Sequence, residues 1–125
     1  MTYLLDVNAL IAAINVNHPD HAKTDGWLRG KRLASCALSE LGFLRVTTHP
    51  KALNVAMPIA RQVLENFLRQ QQVEFVAADL PALRSQAARS EEVTDRYLAE
   101  LAASKGMRLA TLDTGIAHTA AELIA

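Results

Sequence analysis

Four carboxylates in this chain stand where an acid can do chemistry. Asp6 ends the apolar run Tyr3-Leu4-Leu5, and Asp113 directly follows the segment Arg108 to Leu112. Asp95 opens a helical segment after Thr94, and Glu40 lies one turn into another. Carboxylates drawn together repel, and burial raises the cost of each charge. A hard divalent cation offsets both, because Mg²⁺ and Mn²⁺ prefer oxygen donors. Water on such an ion becomes a nucleophile, and the ion stabilises charge on a phosphate oxygen. The chemistry implied is hydrolysis of a phosphodiester, with no Ser, Cys or His nucleophile.

Each acid also has an ordinary explanation. Asp95 fits the charge that a helix N-terminus favours. Glu40 fits a solvated helix residue, and Asp113 fits a turn before Thr114-Gly115. Asp6 is harder to dismiss, since it interrupts an apolar segment where an unpaired charge is costly. The set is more informative than any member.

The acids act together only if the fold brings them together. Tyr3 to Leu5 reads as a buried strand, and Asn8 as the cap of a helix from Ala9 to Val16. A helix follows from His21 to Leu28, then a weak strand from Arg32 to Cys36. Ala37 to Thr47 reads as a helix with Ala37, Leu41 and Leu44 on one face. Thr48-His49-Pro50 stops it, and Lys51 to Pro58 is a loop. Ile59, Val63 and Phe67 form a core stripe on a helix from Ile59 to Gln71. Val73 to Val76 is a strand. Leu80 to Arg89 and Asp95 to Ser104 are helices, the second capped by Thr94. Arg108 to Leu112 is a strand, Gly115 to Ala120 a short helix, and Leu123-Ile124 a last strand. This alternation predicts one α/β domain over residues 1–125 with a mostly parallel sheet. Right-handed crossovers put the strand C-termini on one edge, where such sheets bind ligands. All four acids are expected there.

Composition narrows the classes. Thirteen basic and thirteen acidic residues cancel, which excludes a strongly basic nucleic-acid coat. Phosphate contacts must then come from local cations, and Arg45 and Lys51 are the candidates. The single cysteine, Cys36, excludes an internal disulfide and a Cys-rich zinc site, and it suits a reducing compartment. No basic residue precedes Lys23, and the uncharged stretch between Asp6 and Asp20 is too short to span a bilayer. A cytoplasmic, unprocessed protein is expected. His18-Pro19-Asp20-His21 looks like a metal pair, but the proline spoils helical spacing and no third ligand is near. A solvated loop explains it better.

The chain resembles the PIN-domain ribonucleases, on four blocks in register. These are Leu4-Leu5-Asp6-Val7-Asn8-Ala9-Leu10-Ile11, then Ser39-Glu40-Leu41 with Arg45-Val46 and Thr48-His49-Pro50. Val93-Thr94-Asp95 with Tyr97-Leu98-Ala99 is the third, and Leu109-Ala110-Thr111-Leu112-Asp113 the fourth. The compact length is similar to that of the VapC-type toxins of bacterial toxin–antitoxin pairs. The resemblance implies a three-layer α/β/α fold with four to five mostly parallel strands. It implies an endoribonuclease dependent on Mg²⁺ or Mn²⁺, with Asp6, Glu40, Asp95 and Asp113 as the acidic quartet. Asp6 and Asp95 would touch the metal, while Glu40 and Asp113 would hold its waters or a second ion. Asn8 and Thr111 match neighbouring polar positions that could orient those waters. Cleavage would leave a 5′-phosphate and a 3′-hydroxyl. An RNA substrate, a cognate antitoxin and a homodimer are the partners implied. Ile116 departs from the aromatic residue that the family often has there.

Two other readings compete. A receiver-like signalling module also places acids at strand ends, but it needs adjacent acids after the first strand and a lysine after a late one. Here Val7 and Asn8 follow Asp6, and Lys105 precedes the Arg108 strand. A non-catalytic partner-binding module is the other, and the presence of all four acids argues against it.

Overall fold

The apolar run at the N-terminus forms β1 (Thr2–Leu5) in the computed structural model, which describes residues 1–125. It is followed by α1 (Val7–Ile14), α2 (His21–Leu28), β2 (Arg32–Ser35), α3 (Ala37–Thr48), α4 (Met57–Gln70) and β3 (Glu74–Phe75). The chain ends with α5 (Val93–Ser104), β4 (Arg108–Thr111) and β5 (Ala121–Leu123). The strands form one sheet in the order β3-β2-β1-β4-β5, and every neighbouring pair is parallel. All strand C-termini therefore share one edge, as the alternation predicts.

The pleat sorts the strand residues between two helical layers. Side chains alternate along a strand with period two. Leu4, Ala34 and Leu109 pack with Leu98 and Leu101 of α5. Leu5, Leu33 and Ala110 pack on the other face with Leu10, Phe43 and Leu64 from α1, α3 and α4. The result is the three-layer α/β/α sandwich, with α5 alone covering one face. By the same parity Asp6 and Thr111, two residues beyond Leu4 and Leu109, lie on the α5 side.

α1 and α3 meet very closely beside the end of β1. A Cβ on Gly42 would overlap the Val7 side chain, so glycine is what lets α3 approach α1 there. Val7 is β-branched and stiff at χ1, so it cannot swing aside at low cost.

Several local expectations are corrected. Leu80 to Arg89 is not a helix: it is an irregular segment with single 3₁₀ turns at Ala82–Arg84 and, just beyond, Ser90–Glu92. Pro81 opens the first turn, and Leu83 finds nothing to pack on and stays fully exposed. Gly115 to Ala120 forms turns rather than a helix, and β5 begins at Ala121. The strand expected from Val73 to Val76 shrinks to Glu74–Phe75. α4 starts earlier than Ile59 because Pro58 sits in its first turn, where a missing N–H costs nothing. α1 is capped by Asp6 and not by Asn8, and the residue before α5 is Glu92, so Thr94 lies inside that helix.

Two expected faces are rotated. The buried residues of α3 are Ser39, Phe43 and Thr47, while Ala37 and Leu41 face outward. On α4 the buried residues are Ala60 and Leu64; Ile59 is exposed, and Val63 and Phe67 are half-buried. Periodicity finds residues that share a face but does not say which face turns inward.

Candidate active site

Asp6 occupies the switch from β1 to α1. Its N–H still donates to Ala110 O at 3.0 Å, the last rung toward β4, while its carbonyl already accepts the Leu10 N–H at 3.0 Å and opens the helix. Its backbone is extended, as a cap requires. The side chain is 2% exposed. Oδ1 accepts the Val7 N–H at 2.7 Å, and Oδ2 accepts the Thr111 hydroxyl at 2.7 Å. Each oxygen thus has one donor and keeps an acceptor site free.

Thr111 is the centre of the network around it. Its Oγ1 donates to Asp6 and accepts the Asp113 N–H at 3.0 Å. Asn8 closes the group: its Oδ1 accepts the Leu112 N–H at 3.0 Å, and its Nδ2 donates to Thr111 Oγ1 at 3.4 Å. Asn8 and Thr111 therefore hold the protein's own chain, tying the first turn of α1 to the end of β4. Asp113 is held in turn by the Gly115 N–H on Oδ1 at 2.7 Å.

Asp95 arrives from the opposite direction. α5 leads into β4 and runs back along the sheet, so its first turn stands at the edge where β1 and β4 end. The carboxyl of Asp95 is pushed up from 3.8 to about 6. Burial is the main cause, the charges of Asp6 and Asp113 add to it, and a hydrogen bond with Asp113 contributes. Burial also raises Asp6; its bonds from Thr111 and Val7 oppose that, and the charge of Asp113 adds to it. Asp6, Asp95 and Asp113 thus share one electrostatic field, although they come from three separate segments.

Glu40 stands differently. It lies in the first turn of α3 and accepts the hydroxyl of Ser35, the last residue of β2. Ser35 has the parity of Leu33, so this pair belongs to the α3 side of the sheet edge. Glu40 is absent from the charges that shift Asp6 and Asp95. The structure brings three acids into mutual influence and leaves the fourth turned to its own strand.

A pocket of about 160 Å³ opens beside Asp95 and Asp113, with Arg89, Arg96 and Ile116 in its wall. Ile116 also packs partly against the α5 core. Arg45 is exposed in the last turn of α3 and shares a separate groove with Arg61. Lys51 is exposed in the turn after α3, a helix length from Glu40. The cations that line the acidic pocket are Arg89 and Arg96. Arg89 escapes sequence reasoning because its segment carries a helical pattern that the fold does not use.

The remaining candidates serve the backbone. His18, His49 and His118 each accept on Nδ1 the N–H two residues on, at 3.0 Å, and so stiffen turns. His21 Nδ1 bonds Ala12 O at 2.8 Å. Lys105 pairs with Asp79 at 2.8 Å, at the end of α5 away from Asp95, so no lysine serves the acids as a receiver would need.

No three His, Cys, Asp or Glu side chains already form a group that could hold a metal ion. The donor chemistry nevertheless fits a hard divalent cation. Every candidate donor is a carboxylate oxygen, and the mutual repulsion seen at Asp95 is what a dication would relieve.

The comparisons with known proteins agree with this fold. The PIN domain family model matches residues 3–122. Ribonuclease VapC38 of Mycobacterium tuberculosis is 38% identical, over 90% of this chain and 86% of its own. Ribonuclease VapC44 of the same organism is 33% identical, over 96% of this chain and 92% of its own. Among solved structures, VapBC2 from Rickettsia felis, bound to a DNA fragment from its promoter, superposes with a TM-score of 0.66. It covers 98% of this chain and 97% of its own at 17% identity, a likeness of fold. With a parallel sheet whose edge gathers Asp6, Asp95 and Asp113, and a family match across nearly its whole length, this chain belongs to the PIN-domain family, in its VapC-type branch.

Proposed function

We propose that this chain is an endoribonuclease, the toxin of a toxin–antitoxin pair, and that Asp6, Glu40, Asp95 and Asp113 are its acidic machinery. The observation that carries the reading is the buried Asp6 carboxylate. It is fixed by two hydrogen bonds at the strand edge and lies close enough to Asp95 and Asp113 for their charges to interact. A buried acid in a like-charged group costs stability, and a bound cation is what would offset that cost.

Asp6 and Asp95 would hold a divalent cation, Mg²⁺ or Mn²⁺, with Asp113 and Glu40 in support. Such an ion, when bound, supplies positive charge to the phosphate and lowers the pKa of water for attack on phosphorus. The chain's own part is positioning. Thr111 and the Val7 N–H fix the plane of the Asp6 carboxylate. Asn8 keeps α1 and the end of β4 in register, so Asp6 and Asp113 cannot drift apart. In the hydrolysis, water oxygen joins phosphorus, the bond from phosphorus to the 3′ oxygen breaks, and that oxygen leaves protonated. The products are a 5′-phosphate and a 3′-hydroxyl.

Arg45 and Lys51 would touch RNA phosphates away from the acids. The cognate antitoxin would cover the apolar groove of about 430 Å³ between α1, α3 and α4, where Ile14, Phe43, Val55, Ile59 and Val63 meet. The relative that superposes is a VapBC complex, which supports a partner of this kind. A homodimer belongs to the same reading; Leu38 and Leu41 on the outer face of α3 offer apolar surface for it. No helix is long and apolar enough to cross a membrane, and we place the protein in the cytoplasm.

The test is RNA cleavage by purified protein on a pool of structured RNAs, with EDTA, Mg²⁺ or Mn²⁺, beside Asp6→Asn and Asp95→Asn. Metal-dependent cutting lost in both variants is expected. A folded Asp6→Asn variant that cuts at the wild-type rate would overturn the reading.

A further inference from the structure

We propose that Arg96 and Glu100 form a brace that sets the separation of Asp95 and Asp113, which makes both of them positioning residues for the reaction. This rests on the nuclease reading above. Asp113 lies in the stretch between β4 and β5, which forms turns and no regular structure. Asp95 lies in the first turn of α5. No backbone ladder joins these two segments, so side chains must fix the distance between them. Thr111 and Asn8 hold the start of that stretch, and Arg96 ties its far part to α5, because its Nη1 donates to Ala117 O at 3.0 Å. The residue after Asp95 thus holds the loop four residues beyond Asp113.

Glu100 anchors the arginine. It lies one turn along α5, accepts Arg96 Nε at 3.4 Å, and its side chain is 12% exposed. The same oxygen accepts the Gln86 N–H at 2.8 Å. One ion pair on α5 therefore reaches both irregular segments beside the pocket, the one that carries Gln86 and Arg89 and the one that carries Asp113. The other oxygen of Glu100 is buried beside Ser85, whose hydroxyl helps hold the carboxylate charged, without a well-formed hydrogen bond. Burying a carboxylate oxygen with so little hydrogen bonding is costly. The arrangement suits a part whose work is geometry.

The brace also explains why an arginine stands in the wall of an acidic pocket. Its guanidinium is committed to the loop carbonyl and to Glu100 on its own helix. Lysine is a poor substitute, because its compact ammonium lacks the planar fork whose separate nitrogens reach Ala117 and Glu100 at once.

The experiment titrates Mn²⁺ into RNA-free protein and measures kcat and KM on one RNA that the wild type cuts. It compares wild type, Arg96→Met, Arg96→Lys, Glu100→Gln and the Arg96→Met/Glu100→Gln double variant. Charge alone predicts that Arg96→Met tightens Mn²⁺, since a cation leaves the site. The brace predicts the opposite: Mn²⁺ binding about tenfold weaker, as for other outer-sphere supports. A kcat loss of similar size with KM unchanged is expected. Arg96→Lys should lose nearly as much although it keeps the charge and is the milder change for folding. The double variant should be no worse than Arg96→Met, because the two residues act as one unit. Unchanged or tighter Mn²⁺ binding in Arg96→Met, full activity in Arg96→Lys, or a rise in KM alone would overturn the brace. The last of these would make Arg96 a phosphate contact. A wild type that neither binds Mn²⁺ nor cuts RNA would instead remove the nuclease reading itself.

Discussion

Asp6 and Asp95 stand at the same edge of the sheet, yet the two halves of the site that hold them are built in opposite ways. Around Asp6 the chain is regular on both sides. The β1–β4 ladder runs up to it, α1 begins at it, and Thr111 and Asn8 bond across the joint. Around Asp95 the neighbours are two irregular stretches, residues 77–92 and 112–120, tied to α5 by side chains. The first half is rigid because its backbone groups pair with each other. The second is held by a few long side chains, Arg96 and Glu100 among them.

Changes to the rigid half should have the largest effects. Asp6→Asn is expected to lower cleavage by more than about 100-fold while leaving the fold intact, since it removes the proposed metal donor itself. RNA cleavage beside a urea melt checks both parts. Thr111→Val keeps the shape but removes a donor to Asp6 and an acceptor for the Asp113 N–H. It should reduce activity by about 10- to 100-fold and stability by about 1–3 kcal/mol. Single-turnover rates and denaturant midpoints would separate the two effects; an unchanged rate would make the hydroxyl purely structural.

Gly42→Ala tests the packing beneath Asp6. A methyl there meets Val7, so the variant should be destabilised by about 1–3 kcal/mol. The smaller change Val7→Ala in the same background should recover part of this loss, as thermal melts would show. A Gly42→Ala protein as stable as wild type would mean that α1 and α3 can separate freely.

The half around Asp95 gives the smallest effect, and it depends on pH. The Asp95 carboxyl titrates at about 6 in the folded protein against 3.8 for an ordinary aspartate. Between those values the folded state holds a proton that the unfolded state has released. Stability therefore falls as pH rises from about 4 to about 6 and stays lower above that. Asp95 is partly open to water, which screens the effect to about 1 kcal/mol. Asp95→Asn should accordingly stabilise the protein at pH 7 and change little at pH 4. Urea melts at the two pH values measure this directly. Equal gains at both would assign the effect to something other than charge.

Much of the architecture was legible because strands that alternate with helices leave a period in the chain. Tyr3-Leu4-Leu5 and Arg108 to Leu112 read as strands, and they pair in the sheet. Asp6 stood out because an aspartate that breaks an apolar run at a strand end has few ordinary explanations, while the other three acids gained weight only as a set. The errors share a cause. Leu41 looks like a core residue of α3 by spacing, but Phe43 takes the core because Gly42 presses that side of the helix against Val7. Leu80 to Arg89 has the pattern of a helix, but Leu83 has no partner to bury it. Asn8 looks like a cap, but Asp6 caps first and frees Asn8 to reach Leu112. In each case local preference is worth less than the contact that overrides it.

Residue types and their order therefore committed this chain to a parallel α/β sheet with carboxylates at the strand ends, since hydrophobic period and charge placement are local properties. Which acids feel one another was decided in three dimensions. The β1–β4 register sets Asp6 beside Thr111, the return of α5 brings Asp95 to the same edge, and Glu40 is turned to Ser35 on the other side. The network through Thr111 and the brace from Arg96 to Ala117 join residues far apart in sequence. Electrostatic coupling depends on distance through space, and only the folded chain sets that distance.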